Sequence, residues 1–197
     1  MSGRREAGFS LVEGMIALAL LAVSMAILGS ILVGSMRANR MQRTQAELQE
    51  SARTAMSIIT QSLRTAGWNP LQVSGFTKLT ASPSGSTAVN EVTINADLNG
   101  DGTLNGTEEM IDIRHAGDRI EWRRPLVTGA AFETLAVDIT NDSDGDGTAE
   151  PMFTLSSASA PRTVVVQITA QSQMRDLQSG EFQRYVVRST VDLRSAP

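Results

Sequence analysis

The order of apolar and polar residues divides the chain into two unlike parts. Between Gly14 and Met36 lie 23 residues without a charged residue, Asn, Gln or His. A helix of that length is roughly 35 Å long, whereas the hydrocarbon core of a bilayer is about 30 Å thick. The run therefore predicts a membrane-spanning helix. A secretory signal peptide would have a shorter apolar region of about 7–15 residues, and a buried helix of a soluble domain is rarely apolar on every face.

Helical periodicity continues beyond the apolar run. Apolar residues recur at three- and four-residue spacing, which predicts one buried stripe on an amphipathic helix: Leu48, Ala52, Met56, Ile59 and Leu63. Gly67 suits the left-handed residue that ends a helix, and Pro70 cannot continue one. We therefore expect one long helix, with residues 9–36 in lipid and residues 37–67 packed on a globular head.

The pattern changes to short β segments in residues 68–197, the predicted head. Six segments alternate in polarity or are rich in β-branched residues: 88–96, 109–116, 118–124, 133–140, 161–171 and 182–193. His115-Ala116-Gly117-Asp118 is predicted as the turn of a hairpin between the second and third segments. A long helix followed by strands predicts an α+β fold, in which an antiparallel sheet packs on the C-terminal half of the helix.

Composition excludes several kinds of site. The chain has 197 residues, a formal net charge of −4 and no cysteine, which excludes a disulfide scaffold, a cysteine-ligated zinc site and a thiol nucleophile. Its mild acidity argues against a nucleic-acid partner. The single histidine, His115, leaves no histidine metal cluster and no choice of base for a catalytic triad. We therefore expect a protein that is not an enzyme.

The head contains a segment, residues 97–109, with the spacing of a calcium-binding loop. It satisfies the pattern D-x-[DN]-x-[DN]-G-x5-E, with candidate ligands Asp97, Asn99, Asp101, Thr103, Asn105 and Glu108. About six to eight hard oxygen ligands suit Ca²⁺ far better than zinc or iron. The flanking segments are predicted as strands, so we expect an EF-hand-like loop without the helices of an EF-hand. The alternative is a solvated turn between two strands.

A second acidic segment, residues 141–150, repeats the core of this pattern. Its candidate ligands are Asp142, Asp144, Asp146 and Glu150, but Phe153 stands where the pattern requires its last acid. Glu150 could close the site only with a different geometry, so a metal site and a solvated turn remain equally open here. The two segments hold eight of the 21 acidic residues. We therefore expect the acidity to be local and Ca²⁺ to stabilise the head by binding the folded state.

Glu13 stands at the edge of the apolar run. A carboxylate at that depth is expensive in lipid and indicates a function, unless it is simply hydrated at the headgroup level. Counting arginines on the two sides of the run does not decide the orientation. However, Gly8-Phe9-Ser10-Leu11-Val12-Glu13, followed by an uninterrupted apolar helix, resembles the class III signal of type IV pilins and type II secretion pseudopilins.

This resemblance implies how the N-terminus is processed. A prepilin peptidase would cut between Gly8 and Phe9 on the cytoplasmic side, removing residues 1–8, and would methylate the new amine of Phe9. The helix would stay in the inner membrane with the head in the periplasm, and later in a filament. There the Glu13 carboxylate would neutralise the Phe9 amine of a neighbouring subunit. One departure from many major pilins is that no proline occurs between Phe9 and Gly67.

A narrower resemblance concerns PilW-type minor pilins and J-type minor pseudopilins. It consists of the helix end at Leu63–Trp68, the Asp/Gly loop before a hairpin, and the closing residues Val191–Arg194. It predicts a minor pilin that primes or caps a type IV pilus, with other pilins, the peptidase and the inner membrane as partners. The alternatives are a minor pseudopilin of type II secretion and a membrane-anchored Ca²⁺-dependent adhesin. A membrane-tethered enzyme ranks last.

Overall fold

A computed structural model describes residues 11–127, 129–176 and 180–193. Its elements in chain order are α1 (Leu11–Thr65), β1 (Leu79–Ser82), β2 (Ala88–Val89), β3 (Glu91–Asn95), β4 (Met110–Ala116), β5 (Arg119–Arg123), β6 (Glu133–Val137), β7 (Phe153–Leu155), β8 (Thr163–Arg175) and β9 (Phe182–Asp192). The chain divides into two compact units, the first ending at Arg43 and the second beginning at Thr44.

In the first unit, α1 carries the apolar run. It is the one described helix that is long and apolar enough to cross a membrane. Its serine hydroxyls donate to carbonyls of the preceding turn. Ser24 Oγ donates to Leu20 O at 2.8 Å, and Ser30 and Ser35 make equivalent bonds. These polar groups are thus satisfied within the helix, as a lipid environment requires.

The remainder of α1 belongs to the second unit and packs on the strands. Its buried residues are Leu48, Ala52, Ala55, Met56, Ile59 and Leu63, which confirms the predicted stripe and adds Ala55. The helix ends at Thr65, and Gly67 has the left-handed φ of 79° that ends it. The Gly67 N–H then donates to the Asn95 carbonyl at 2.9 Å, so the helix end is bonded directly to the last residue of β3.

The strands form two antiparallel sheets, which confirms the α+β class but replaces the single expected sheet. The first has the order β1-β3-β4-β5-β6 and the second β2-β7-β8-β9. The predicted strand 88–96 is divided between them at Asn90. The Asn90 carbonyl accepts the His115 N–H at 2.8 Å, while its Oδ1 accepts the Met152 N–H at 2.9 Å. Asn90 therefore bonds to His115 of β4 and to Met152, the residue before β7, at the point where the chain passes from one sheet to the other.

The hydrophobic core lies where both sheets meet the second half of α1. Phe153, Ile113, Ile120 and Ile168 contribute large side chains that are at most 1% exposed, and they belong to the same cluster as the buried helix residues. The predicted hairpin is present as β4 and β5. His115, however, belongs to β4 rather than to the turn, and its Nε2 lies 2.9 Å from the carbonyl oxygen of Ile139.

Strand register places the two acidic segments at opposite ends of the five-stranded sheet. Segment 97–109 connects β3 to β4 at the end where Asn95 pairs with Met110. Segment 141–150 follows β6, whose last residue, Val137, pairs with Arg119 beside the β4–β5 turn. We call these segments loop 1 and loop 2. Because the strands between them are paired in fixed register, side chains of the two loops cannot share one ion.

Candidate functional site

The N-terminal motif is described only from Leu11 onward. Gly8 and Phe9, the predicted cleavage and methylation residues, lie outside the described residues. Glu13 lies in the first turn of α1 and is exposed. Its neighbours Leu11, Val12 and Met15 are also between 64% and 81% exposed. Glu13 is therefore a carboxylate on an apolar helical surface, and its role in assembly stays a prediction.

Loop 1 is organised around the carboxylate of Asp97, which is fully buried. Its Oδ1 accepts the N–H groups of Gly100 at 2.8 Å and Asp101 at 3.2 Å, and its Oδ2 accepts the N–H of Gly102 at 2.9 Å. The φ angles of Gly100 and Gly102 are 76° and 80°, a conformation that glycine adopts without a steric penalty. Asp97 thus serves as the anionic centre of a tight turn.

Four other predicted ligands of loop 1 meet above this turn. Asn99 Nδ2 lies 3.1 Å from both Asp101 Oδ2 and Asn105 Oδ1, and Asn105 Nδ2 lies 2.8 Å from Asp101 Oδ2. The Thr103 hydroxyl donates to Asp101 Oδ1 at 2.7 Å. This bond, followed by the Thr103 N–H, lowers the pKa of Asp101. Because the two ends of an amide can exchange by rotation, both asparagines can also present oxygens to a cation.

The spacing predicts that Glu108 closes loop 1, but in the structure Glu109 lies inside the loop and Glu108 lies outside it. The Glu108 carboxylate pairs with the Arg124 guanidinium at 2.7 Å, on the exposed side of the loop, so the structure does not place it with the other ligands. Glu109 is only 2% exposed. It accepts N–H groups of loop 1 at 2.6–3.1 Å from Asn99, Asn105 and Gly106. Burial raises the pKa of Glu109, but these three donors outweigh burial and lower it overall.

Loop 2 repeats the backbone of loop 1 at matching positions. Asp142 Oδ1 accepts the N–H of Gly145 at 2.5 Å and its Oδ2 accepts the N–H of Gly147 at 3.0 Å. Both glycines have a φ of 87°. The Asp146 N–H donates to Asp144 Oδ1 at 3.1 Å, which matches the bond from Asp101 to Asn99 at 2.9 Å. The D-x-[ND]-G-D-G-T sequence therefore specifies one turn in two places.

The interior of loop 2 is more acidic. Carboxylate oxygens of Asp142, Asp144 and Asp146 all lie within 4.8 Å of one another, close enough to hold one metal ion. The fourth predicted ligand, Glu150, is bonded elsewhere. Its Oε2 accepts the Ser143 N–H at 2.8 Å and its Oε1 accepts the Ser143 hydroxyl at 2.6 Å. Three of the four predicted ligands therefore come together.

Arg184, on β9, is a functional neighbour that the sequence pattern did not identify. Its guanidinium lies so close to Gly145 that a Cβ there would come within 2.5 Å of it. Burial raises the pKa of Asp142, but the N–H donors of the two loop glycines and the positive charge of Arg184 together lower it. Only the pairing of β8 and β9 brings Arg184 to loop 2, so no local signal in the sequence could have found it.

Comparison with protein families decides what kind of protein carries these loops. The family model for prepilin peptidase-dependent protein B matches residues 41–188. The chain belongs to the prepilin peptidase-dependent protein B family. A second model, the prokaryotic N-terminal methylation motif, matches residues 3–35. No curated protein and no solved structure matches the chain.

These two matches confirm the resemblance to type IV pilins and pseudopilins. The match at residues 3–35 covers the cleavage motif, Glu13 and nearly all of the apolar run. The match at residues 41–188 covers the second half of α1, both sheets and both acidic loops. The chain is therefore a pilin-like protein that depends on prepilin peptidase, and its N-terminal apolar helix is consistent with anchoring in the inner membrane. Pilin-like families are structural.

Proposed function

We propose that this chain is a minor pilin, a structural subunit that primes or caps the assembly of a type IV pilus. The observation that carries the proposal is the joining, in one chain, of the N-terminal methylation motif to a head of the prepilin peptidase-dependent protein B family. The long apolar surface of α1 supports it, because helices of this kind can be buried against one another in a bundle.

Assembly in this proposal depends on Glu13. Its carboxylate lies on an apolar surface and would pair with the methylated amine of Phe9 in an adjacent subunit. In a low-dielectric helix bundle this attraction is much stronger than in water, and an unpaired charge there would cost several kcal/mol. The pair would therefore set the position of each subunit relative to the next, with the head on the periplasmic side of the membrane.

The test replaces Glu13 by alanine in the full chain. We expect Glu13→Ala to be processed by the peptidase and inserted in the membrane, but to be absent from sheared filaments. The control is Glu133→Ala, which removes an exposed acid from β6 of the head and should enter filaments normally. Normal entry of the Glu13 variant would refute the assembly role.

A deletion strain identifies whether the chain belongs to a type IV pilus or to a type II secretion system. We expect loss of surface pili and of twitching motility, with exoprotein secretion unchanged. Loss of secretion with normal pili would instead place the chain among the minor pseudopilins of type II secretion.

We also infer that Ca²⁺ stabilises the head through the acidic loops. Support comes from the calcium-type spacing of loop 1, whose side chains of Asn99, Asp101 and Asn105 converge, and from the three carboxylates gathered in loop 2. Oxygen ligands of this kind suit Ca²⁺. Because Ca²⁺ would bind the folded head and not the unfolded chain, it would raise the free energy of unfolding by mass action.

A further inference from the structure

The last strand, β9, forms a long edge of the second sheet. The order of this sheet is β2-β7-β8-β9, so β9 pairs with β8 on one side and with no other strand of the described chain on the other. It has 11 residues, whereas the other edge strands, β1, β2 and β6, have four, two and five. Among the described strands, β9 therefore offers the longest edge at which a further strand can pair.

The pairing with β8 fixes which backbone groups of β9 face outward. The Leu193 N–H donates to the Arg162 carbonyl at 2.7 Å. Bonded and non-bonded pairs alternate in an antiparallel ladder, so every second residue of β9 before Leu193 turns its N–H and C=O groups toward β8. Gln167 of β8, opposite Arg188, agrees with this alternation, because its N–H donates to Met152 O at 2.9 Å, away from β9. Four residues of β9 then direct their N–H and C=O groups away from β8, without a backbone partner in the described chain: Arg184, Val186, Arg188 and Thr190.

The inner face of this edge carries apolar side chains that are incompletely covered. Tyr185 and Val187 pack against the hydrophobic core, but both are only half-buried. Helix α1 contacts this face, where Arg53 Nε donates to Tyr185 Oη at 3.1 Å. A strand added beside β9 would cover the open sides of Tyr185 and Val187, and the apolar surface buried in this way favours the addition.

The outer face of the same edge carries an arginine with no acidic side chain next to it. Arg188 is exposed, and the residue opposite it on β8 is Gln167. Its neighbours on this face of β9 are Val186 and Thr190. The ion pairs within the described part of the chain are made by other arginines. An added strand is therefore attracted most strongly when it places an acid opposite Arg188.

We propose that β9 binds an extended acidic segment of another protein, which joins the second sheet as its fifth strand. The segment alternates in polarity, with apolar side chains beside Tyr185 and Val187 and an acid opposite Arg188. Backbone hydrogen bonds supply the affinity and the side chains supply the specificity. The inference goes beyond the proposed function and holds for a subunit of either kind of filament.

Charge disfavours the other strands that could occupy this edge. A charged residue on an edge strand discourages pairing with an uncharged or basic strand. A second copy of the chain offers only one acid on β9, Asp192, at the end of the strand. In an antiparallel pair of copies, Asp192 lies opposite Arg188 only when no more than Arg188–Asp192 of each strand is paired. A parallel pair that brings Asp192 opposite Arg188 also brings Arg184 opposite Arg188, which is repulsive.

Peptide binding to the full chain in detergent micelles tests the proposal. The probe is a fluorescent peptide, S-V-T-V-E-V-T-V-S, which has the same sequence in both directions. With its glutamate opposite Arg188, its valines lie on the inner face. We expect saturable binding with a Kd below about 1 mM, and binding at least about fivefold weaker when lysine replaces the glutamate.

Charge reversal in the chain supplies the matched arm of this experiment. Arg188→Glu should reverse the preference, so that the lysine peptide binds more tightly than the glutamate peptide. Arg119→Glu, which changes an exposed arginine of the other sheet, is the control and should leave the preference unchanged. Absence of saturable binding, or an unchanged preference in Arg188→Glu, would overturn the proposal.

Hydrogen exchange of backbone amides, measured by NMR, locates the peptide. The N–H groups of Val186, Arg188 and Thr190 should exchange quickly in the free chain and slowly when the peptide is bound. The Val187 N–H, which faces β8, should be protected in both states. Binding that leaves the first three groups unprotected would overturn the proposal. Protection of these groups without peptide, increasing with the concentration of the chain, would identify a second copy as the occupant and would also overturn it.

A proline variant tests the backbone contact itself. Thr190→Pro removes an outward N–H and leaves the bonds to β8 in place, because proline is tolerated where the N–H of an edge strand faces solvent. We expect it to bind the peptide about fivefold more weakly than Thr190→Ala, which keeps the N–H. Equal affinities of these two variants would contradict pairing along this edge.

Discussion

Loop 1 and loop 2 share a backbone but differ in what fills it. In each loop the first aspartate accepts N–H groups from two left-handed glycines. Loop 1 then places amides at Asn99 and Asn105, which donate to Asp101. Loop 2 places carboxylates at the corresponding Asp144 and Glu150, so Asp142, Asp144 and Asp146 gather without an amide between them. The turn is thus set by its aspartate and glycines, and its charge by the residues between them.

From this difference we expect loop 1 to satisfy its own polar groups and loop 2 to gain more from a bound cation. Like charges that share a small site repel one another. In loop 2 the guanidinium of Arg184 lies beside Gly145 and offsets part of this repulsion. A bound Ca²⁺ would offset the rest. Two experiments separate the two loops in this respect, and a third separates two acidic residues within loop 1.

The largest expected effect is that of Asp97→Ala. It removes a fully buried carboxylate and leaves the N–H groups of Gly100 and Gly102 without their acceptor, so we expect a loss of about 3 kcal/mol in the free energy of unfolding. For a chain of this size that corresponds to a fall in Tm of about 10 °C, measured by circular dichroism on the full chain in micelles. Asp142→Ala should cost clearly less, because the N–H groups of its more exposed loop can bind water. Equal losses would contradict this ranking.

The second-largest expected effect is the stabilisation of the head by Ca²⁺, which should come mainly from binding at loop 2. Binding at about 100 times Kd stabilises by about 2.7 kcal/mol, so we expect millimolar Ca²⁺ to raise the Tm by about 5–10 °C. The double variant D144N/D146N should abolish most of this rise, and Asn105→Ala should abolish little. Asp118→Asn, at the exposed β4–β5 turn, is the control. A rise that survives in D144N/D146N but is lost in Asn105→Ala would reverse the roles of the loops.

The smallest expected effect is a pH dependence of the free energy of unfolding that distinguishes Glu109 from Glu108. The pKa of Glu109 is lower in the folded head than its ordinary value of 4.5. Its contribution to stability is therefore present above pH 4.5 and lost as the pH falls through the folded pKa. Denaturant midpoints between pH 6 and pH 3 should show this loss in the wild type and in Glu108→Gln. They should show it less in Glu109→Gln. A flattened profile for Glu108→Gln would contradict the placement of these two carboxylates.

Features with local physical causes were predictable from the sequence. The buried stripe of α1 follows from helical periodicity, and its end follows from Gly67, whose φ is positive. Five of the six predicted strands appear close to their expected bounds. The sixth, 88–96, is divided at Asn90, because its two halves pair with different partners. A β-rich pattern says that a segment is extended, but not which sheet it joins.

In the candidate sites, too, only the residues with a local physical cause were predictable from the sequence. The spacing located Asp97, Asn99, Asp101 and Asn105, because residues two apart in a tight turn necessarily come close together. It chose Glu108 over Glu109 as the closing acid, and the structure places Glu108 on Arg124 instead. Arg124 comes from the end of β5 and Arg184 from β9. These partners depend on pairing between strands that are distant in the chain.

By itself the sequence determined the apolar helix, the N-terminal motif with Glu13, and the shared turn of the two acidic loops. Each of these depends on residues within a few helical turns or a single loop. Only the tertiary structure decided the division into two sheets, the placement of the loops at opposite ends of one of them, and the identity of the charges around each loop. The reason is that strand register is set by side chains competing for one common core, and a shift of one residue reverses the face on which every side chain lies.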